Sequence, residues 1–530
     1  MIKKISLSLF VALLPCARAE LKLPAFFSDN MVFQRDEPLK IWGRGDPGAT
    51  VTVEFTGQRQ SGMVDEKGRW SVHLEAPRLT AKPEVLTVVS SEGKQRLEIR
   101  NVVVGDVWFC SGQSNMEIPV SQSQNAQEEI AAARHPEIRL LKVMRDVALA
   151  ANEEVSVALT WSPCTPESVG DFSAVAYYFG REIQREAGVP IGLIQSTWGG
   201  TPIEPWMSVA VMESDPACAA ALKPWDEMKA KVADYDTNFG KYVEERKKEL
   251  ADLNRALWQR MLRQKEAKEK GVAFTEPAPQ PRQPPLPGHQ NTPGGLFNAM
   301  VSPLTPFAIR GVIWYQGESN ANQVESARLY GKQFPLLIKS WREAWGRPQL
   351  PFYFVEIANY SAVQKEPRES GGWPLLRDMQ LQTWKTIPHT GMAAAIDLGE
   401  AENIHPENKQ EVGRRLALHA LKNEYGKTAT VSGPILRSAR RDGDKVTLGF
   451  EYADGGLEAR GGIPKGFALA DTSGKWHWAE AEIAGDAIAL RSDKALLPTA
   501  VAYGWANNPI GNLYAKATAL PLIPFCEKIP

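Results

Sequence analysis

The sequence predicts an α/β protein whose central domain is built on a parallel sheet, with a β-rich unit on either side. Three observations predict it. A continuous apolar run, Val102-Val103-Val104 and then Val107-Trp108-Phe109-Cys110, is rich in β-branched and aromatic residues and has no helical period, as expected of a strand buried on both faces. From Asn101 to about residue 426, apolar runs alternate with helical stretches, and that alternation implies right-handed crossovers and a sheet covered by helices on both sides. Before and after this region, short period-two runs are separated by Gly, Pro and Asp turns.

In chain order, residues 1–19 (MIKKISLSLFVALLPCARA) combine Lys3 and Lys4, an apolar segment from Ile5 to Leu14 and an Ala17-Arg18-Ala19 cleavage pattern. This predicts a signal peptide cut after Ala19 and a protein exported to the periplasm or the medium. The apolar segment is too short to span a bilayer, and no later stretch is apolar enough to do so. Pro15 ahead of Cys16 favours plain secretion over a lipid anchor. Residues 20–100 read as a small β-sandwich, with runs such as Thr50 to Phe55 and Trp70 to Leu74 and turns at Asp46-Pro47-Gly48 and Glu66-Lys67-Gly68.

The central domain, 101–426, opens with the strand that ends at Ser114. Helices are expected near Gln124 to Arg134, Phe172 to Glu186, Leu336 to Trp345, Trp373 to Thr386 and Asn408 to Asn423. Strands are expected at Val189 to Ser196, Phe307 to Tyr315, Leu350 to Ile357 and Gly391 to Asp397. An insertion at about 207–300 holds a charged stretch with apolar residues at helical spacing (Tyr242, Leu250, Leu253, Leu257, Trp258, Leu262) and then a Pro-rich connection. It reads as an amphipathic helix and an exposed loop packed on the domain. From about Lys427, alternating runs return and predict a C-terminal β-rich unit, 427–530.

The formal net charge is -1, so no basic field exists to draw in nucleic acid or an anionic membrane. Cys110, Cys164, Cys218 and Cys526 remain after cleavage, and three pairings are open to them. Sparse cysteines without C-x-x-C or His/Cys clustering argue against a zinc site.

The chemistry is concentrated at strand ends. Ser114, in Ser111-Gly112-Gln113-Ser114-Asn115-Met116, stands at the carboxyl edge of a buried strand, where open α/β sheets bind ligands. A serine hydroxyl needs a base, and His405 follows another strand at the same edge. Glu402, three residues earlier, is near enough in a tight loop to accept the imidazole N–H. Donors for an oxyanion are offered by Gly199 and Gly200 after the strand at Ile194, and by the amides of Gln316 and Asn320 after the strand at Val312. Trp198, Trp206, Trp314 and Tyr315 flank these motifs and are candidate ring-stacking residues.

GQSNM (112–116), STWGGTPIEPW (196–206), YQGESNA (315–321) and NIHPENKQEVGRRLA (403–417) resemble the blocks of the bacterial sialate O-acetylesterases, within the SGNH hydrolases. LPAFFSDNMVFQRDEPLKIWGRG near the N-terminus and YGWANNPIGNLY at 503–514 are similar to that family too, so the resemblance spans nearly all the chain outside the insertion. It implies a flavodoxin-like, three-layer SGNH domain, with Ser114 as nucleophile and His405 as base. The Ser114 N–H, a glycine of the Gly199-Gly200 pair and a QGESN amide would form the oxyanion hole. Family members usually carry Asp three residues before the histidine; this chain has Glu402, with Asp397 as a second candidate acid. Gln113, Asn115, Trp198, Glu318, Arg377 and Gln380 are candidate substrate-binding residues. The implied activity is removal of O-acetyl groups from sialic acids through an acetyl-serine, with no metal or cofactor. Two alternatives are esterases acting on acetylxylan or another glycan, and an inert glycan-binding protein.

Overall fold

The strand Arg96–Gly112 is 17 residues long, well beyond the ordinary range, because it serves two sheets in succession. In the computed structural model, which describes residues 20–530 except 92–94, 157–159, 233, 271, 273–275, 277–278, 280–288 and 454, its first half pairs antiparallel with Thr80–Ser90. Its second half pairs parallel with Ile191–Thr197 on one side and Gly311–Tyr315 on the other. The boundary expected at residue 100 therefore falls inside a continuous strand. The expected signal peptide and most of the Pro-rich connection lie outside the described residues.

Around this strand the order is Thr390–Ala393, Phe352–Val355, Gly311–Tyr315, Arg96–Gly112, Ile191–Thr197, His135–Lys142 and Ser162–Cys164. All neighbours are parallel except the last pair. The chain first builds outward on the Ile191–Thr197 side and then crosses to the other. That makes the carboxyl end of the central strand the point where strand order reverses, the usual place for a site.

Successive side chains of the central strand feed opposite layers, as a pleated strand requires. Trp108 packs on Phe179 and Tyr353, beneath the helices Ala174–Ala187 and Lys409–Glu424. Phe109 meets Trp341 and Trp345, beneath Val324–Ala344 and Gly372–Thr386. The helices thus cover both faces. Val324–Ala344 starts well before the expected Leu336 because Pro335 lies inside it instead of ahead of it. The lost backbone bond is offset by packing, since Gly331 lets Met379 approach so closely that a Cβ there would lie 2.4 Å from its sulfur.

Before the central strand, Leu39–Arg44 pairs with Arg69–Leu74, and Gln58–Met63, Thr50–Phe55 and Thr80–Ser90 form the second sheet. Phe26 and Phe27 lie edge-on to Phe307 and join this unit to the helical layer. After the last helix, strands from Ile435 onward form two four-stranded antiparallel sheets and one two-stranded sheet around Leu448, Phe467, Leu490 and Val501. The charged insertion is a 35-residue helix, Tyr235–Glu269, which buries Phe239, Val243 and Leu250 and leaves Trp258 and Leu262 exposed. Cys110, Cys164, Cys218 and Cys526 are all free thiols, so none of the three pairings forms. No helix among the described residues is long and apolar enough to cross a membrane.

Candidate active site

The site starts from one glycine. Gly112 stands at φ +141°, and a Cβ there would meet the Tyr315 carbonyl oxygen at 2.2 Å. Only glycine fits such a conformation and approach. The register sets Gly112 level with Thr197 and Tyr315, so three strand ends converge. The Gln113 N–H donates to the Tyr315 carbonyl at 3.0 Å, and Gln113 Oε1 accepts from the Gly317 and Ser319 N–H groups at 3.2 and 3.3 Å. Gln113 is therefore a fastener between loops. Ser114 opens the helical turn Ser114–Glu117, whose first N–H has no acceptor within the turn.

His405 reaches Ser114 from the loop that follows Thr390–Ala393. Its Nε2 lies 2.8 Å from Ser114 Oγ. Burial, reinforced by the nearby Lys409 ammonium, holds the imidazole down at about 4, so the ring is neutral at pH 7. A neutral ring accepting a hydroxyl proton at Nε2 is what a general base requires.

Glu402 does not join this pair. Its side chain is exposed and makes no hydrogen bond or ion pair with His405. The reason is the closure of the loop: Asn403 Oδ1 accepts the His405 N–H at 3.0 Å and Asn403 Nδ2 donates to the His405 carbonyl at 2.8 Å. Glu400 braces the same loop through Asn403 Nδ2 at 3.1 Å and the Glu407 N–H at 2.9 Å, which leaves Glu402 pointing outward. Asp397, the second candidate acid, is held by Arg415 at 2.6 and 3.0 Å.

Behind the pair lies a buried polar chain. Lys409 Nζ donates to Asn115 Oδ1 at 2.6 Å, and Asn115 Nδ2 donates to Glu318 Oε1 at 2.5 Å and to the Ile404 carbonyl at 3.0 Å. Asn115 thus ties the serine turn to the residue before His405. Burial pulls the Lys409 ammonium down to about 7 against the attraction of Glu318 and Glu400, and pushes the Glu318 carboxyl up. Asn115 is therefore fully occupied, whereas Glu318 uses only Oε1 and keeps Oε2 buried without a hydrogen-bond partner.

The expected oxyanion donors separate. Gln316 Nε2 donates to the Thr201 carbonyl at 3.2 Å and to Asn320 Oδ1 at 2.8 Å, so it is committed. Asn320 Oδ1 also accepts the Ile203 N–H at 3.0 Å, while Asn320 Nδ2 has only a 3.4 Å contact with Glu204. Gly199 gives its N–H to Glu117 Oε2 at 2.9 Å, and a Cβ on Gly199 would lie 3.3 Å from Ser114 Cβ. Gly200 follows in an exposed turn at φ +71°.

Arg377 and Gln380 hold backbone. The Arg377 guanidinium donates to the carbonyls of Ile357, Ala358, Ala506 and Asn507, and Gln380 bonds Ile357, Val355 and Gln316. Trp206, Trp314 and Tyr315 are fully buried core residues and present no face to a ligand. Trp198 is buried too, at 3% exposure, but it borders a cavity of about 270 Å³ together with Glu117, Arg145, Thr197, Lys247 and Leu250. Arg145 pairs with Glu117 at 2.7 Å and lies 5.9 Å from the Trp198 ring centroid.

Glu117, Arg145, Glu400 and Lys409 escaped the sequence reading. Charged residues are ordinarily solvated, and nothing in their spacing marks them as buried or paired.

A family model described as carbohydrate esterase, sialic acid-specific acetylesterase, matches residues 104–259 and 290–422. A sialate O-acetylesterase of Pongo abelii is 30% identical over 95% of this chain and 92% of its own length. One of Rattus norvegicus is 30% identical over 95% of this chain and 94% of its own. The crystal structure of a carbohydrate acetylesterase from Xanthomonas citri superposes with a TM-score of 0.77 at 34% identity, covering 96% of this chain and 99% of that one. Matches over this much of the sequence and fold show that the chain belongs to the sialic acid-specific acetylesterase family of carbohydrate esterases, and that it is a carboxylic ester hydrolase.

Proposed function

We propose that the protein removes O-acetyl groups from sialic acids through an acetyl-serine on Ser114, with His405 as base. The observation that carries the reading is the 2.8 Å contact between Ser114 Oγ and His405 Nε2, with the imidazole neutral. Ser114 Oγ attacks the acetyl carbonyl carbon while its proton passes to His405 Nε2. The tetrahedral adduct then breaks its bond to the sugar oxygen, which takes that proton and leaves as the alcohol. Water, deprotonated by the same nitrogen, attacks the acetyl-serine, releases acetate and restores the hydroxyl. The Ser114 N–H and Asn320 Nδ2 are the oxyanion donors. Asn320 suits the role because its oxygen is locked by two donors, which leaves its NH₂ end weakly engaged.

The acid in this reading is not Glu402, and the Asn403 and Asn115 contacts position the histidine loop instead. The parallel sheet with Ser114, Gly199, Asn320 and His405 at strand ends supports an SGNH, flavodoxin-like domain, flanked by an N-terminal β-unit that shares the strand Arg96–Gly112 with it and by a C-terminal β-unit at 427–530. Residues 1–19 support export. The sugar is placed beside Trp198, where Lys142, Arg145 and Lys247 outnumber Glu117 in the cavity lining, with Arg145 paired to Glu117 and Lys247 to Asp146 and Glu244 until a sialic acid carboxylate competes for them.

Acetate release from 9-O-acetylated sialic acid and from acetylated xylan, by the protein and by Ser114→Ala, tests this. Release from the sialic acid that the substitution abolishes is expected. Turnover of xylan alone would move the substrate to a neutral glycan, and activity surviving in Ser114→Ala would overturn the nucleophile.

A further inference from the structure

The C-terminal unit carries a second groove, of about 420 Å³, built from different residues. Its floor is the edge strand Trp476–Trp478, which among the described residues pairs with Phe467–Ala470 alone. Residues two apart on a strand share a face about 7 Å apart, so Trp476 and Trp478 present two rings side by side. Trp478 is 39% exposed and lines the groove together with Trp476 and His477.

The strand is held in place, and one face of Trp476 is covered by a guanidinium. His477 Nε2 contacts Asp471 Oδ2 at 2.8 Å, Ser492 Oγ donates to the Trp478 carbonyl at 3.0 Å, and the Arg368 guanidinium lies 5.4 Å from the Trp476 ring centroid. Around them stand Lys365, Arg491 and Lys494 against Glu366, Glu480 and Asp493, so the formal charges of the rim cancel. Aromatic platforms inside a rim of hydrogen-bonding groups suit a ligand with flat C–H faces and many hydroxyls. A rim without net charge selects no ion.

We propose that this groove binds a neutral oligosaccharide, with sugar rings stacked on Trp476 and Trp478. One wall, Lys365 to Pro367, belongs to a strap that also touches the histidine loop, where the Ser361 N–H donates to the Ala401 carbonyl at 3.1 Å. Lys365 is four residues from Ser361, at most about 14 Å along an extended chain. A glycan held in the groove is thereby kept close to the loop that bears His405. The groove holds the chain of an acetylated glycan while the acetyl group is processed elsewhere on it.

Titration calorimetry of the full protein with unacetylated xylohexaose, cellohexaose and mannohexaose tests the groove without any turnover. Saturable binding of at least one is expected, weakened at least tenfold by Trp478→Ala and less by Trp478→Phe, with p-nitrophenyl acetate hydrolysis unchanged in both variants. Three results would overturn the proposal: no saturable binding of any of the three, equal affinity in Trp478→Ala, or binding confined to sialyllactose as a fourth probe. Loss of p-nitrophenyl acetate turnover in Trp478→Ala would overturn it too, by placing that residue in the active site. Failure of the Ser114 assignment would leave these binding results untouched, so the two readings fail separately.

Discussion

Replacing Glu402 by Gln separates a serine–histidine pair from a triad that includes this carboxylate. Where a carboxylate holds the catalytic imidazole, its conversion to the amide costs about 10⁴ in kcat, because the ring is then held in the wrong tautomer. Here Glu402 is exposed and bonds neither His405 nor the loop that carries it. What remains is a Coulomb effect through water, about 1 kcal/mol at 4 Å and less further out, or at most about fivefold in rate. We therefore expect kcat/KM of Glu402→Gln toward p-nitrophenyl acetate at pH 7 to stay within about fivefold of the parent. His405→Ala should lose at least about 10³-fold in the same assay. A fall of more than about a hundredfold in Glu402→Gln would refute the geometric reasoning and return the carboxylate to the triad.

The neutral imidazole of His405 should persist down to about pH 4, so the acid limb of kcat/KM should lie near 4 instead of 6.5. Because the Lys409 ammonium helps to depress that value, Lys409→Met should move the limb upward, as a pH–rate profile would show. Gly112→Ala drives a Cβ into the Tyr315 carbonyl at 2.2 Å from a backbone at φ +141°, and should destabilise the fold by at least about 3 kcal/mol in urea denaturation. Burial raises the Glu356 carboxyl from its usual 4.5 to about 7, so its contribution to stability is full below pH 4.5 and is lost as pH rises through 7. Glu356→Gln should flatten that fall, roughly 2 kcal/mol, when unfolding is followed from pH 5 to 7.5.

The meeting of Ser114 with His405 was legible because both facts needed to expect it are local. A buried strand that stops at a Gly-bearing polar turn puts its next side chain at the sheet edge, and two such ends meet whenever their strands belong to one parallel sheet. Glu402 was not legible, since a spacing of three residues fixes nearness along the chain but not direction. The direction is set by Asn403, which bonds both the N–H and the carbonyl of His405. The same limit applies to Trp206, Trp314 and Tyr315, where aromatic character at a strand end is compatible with a sugar platform or with the core: Trp314 packs on Trp206, Trp341 and Phe334, while Tyr315 is buried in the opposite layer with Lys409 Nζ 5.6 Å from its ring centroid. Element positions read well where the apolar period was strong, as in the helix Ala174–Ala187. They read poorly at Pro335, where contact between helices outweighed a local stop signal. The Lys409–Asn115–Glu318 chain joins residues about two hundred or more positions apart, and only folding brings them together.

The most direct test of the account is to treat the active protein with a fluorophosphonate and map the adduct by peptide mass spectrometry. The account predicts one adduct per chain, on the peptide that contains Ser114, with labelling lost in Ser114→Ala and slowed in His405→Ala. An adduct on another residue, or full inhibition without modification of Ser114, would contradict it.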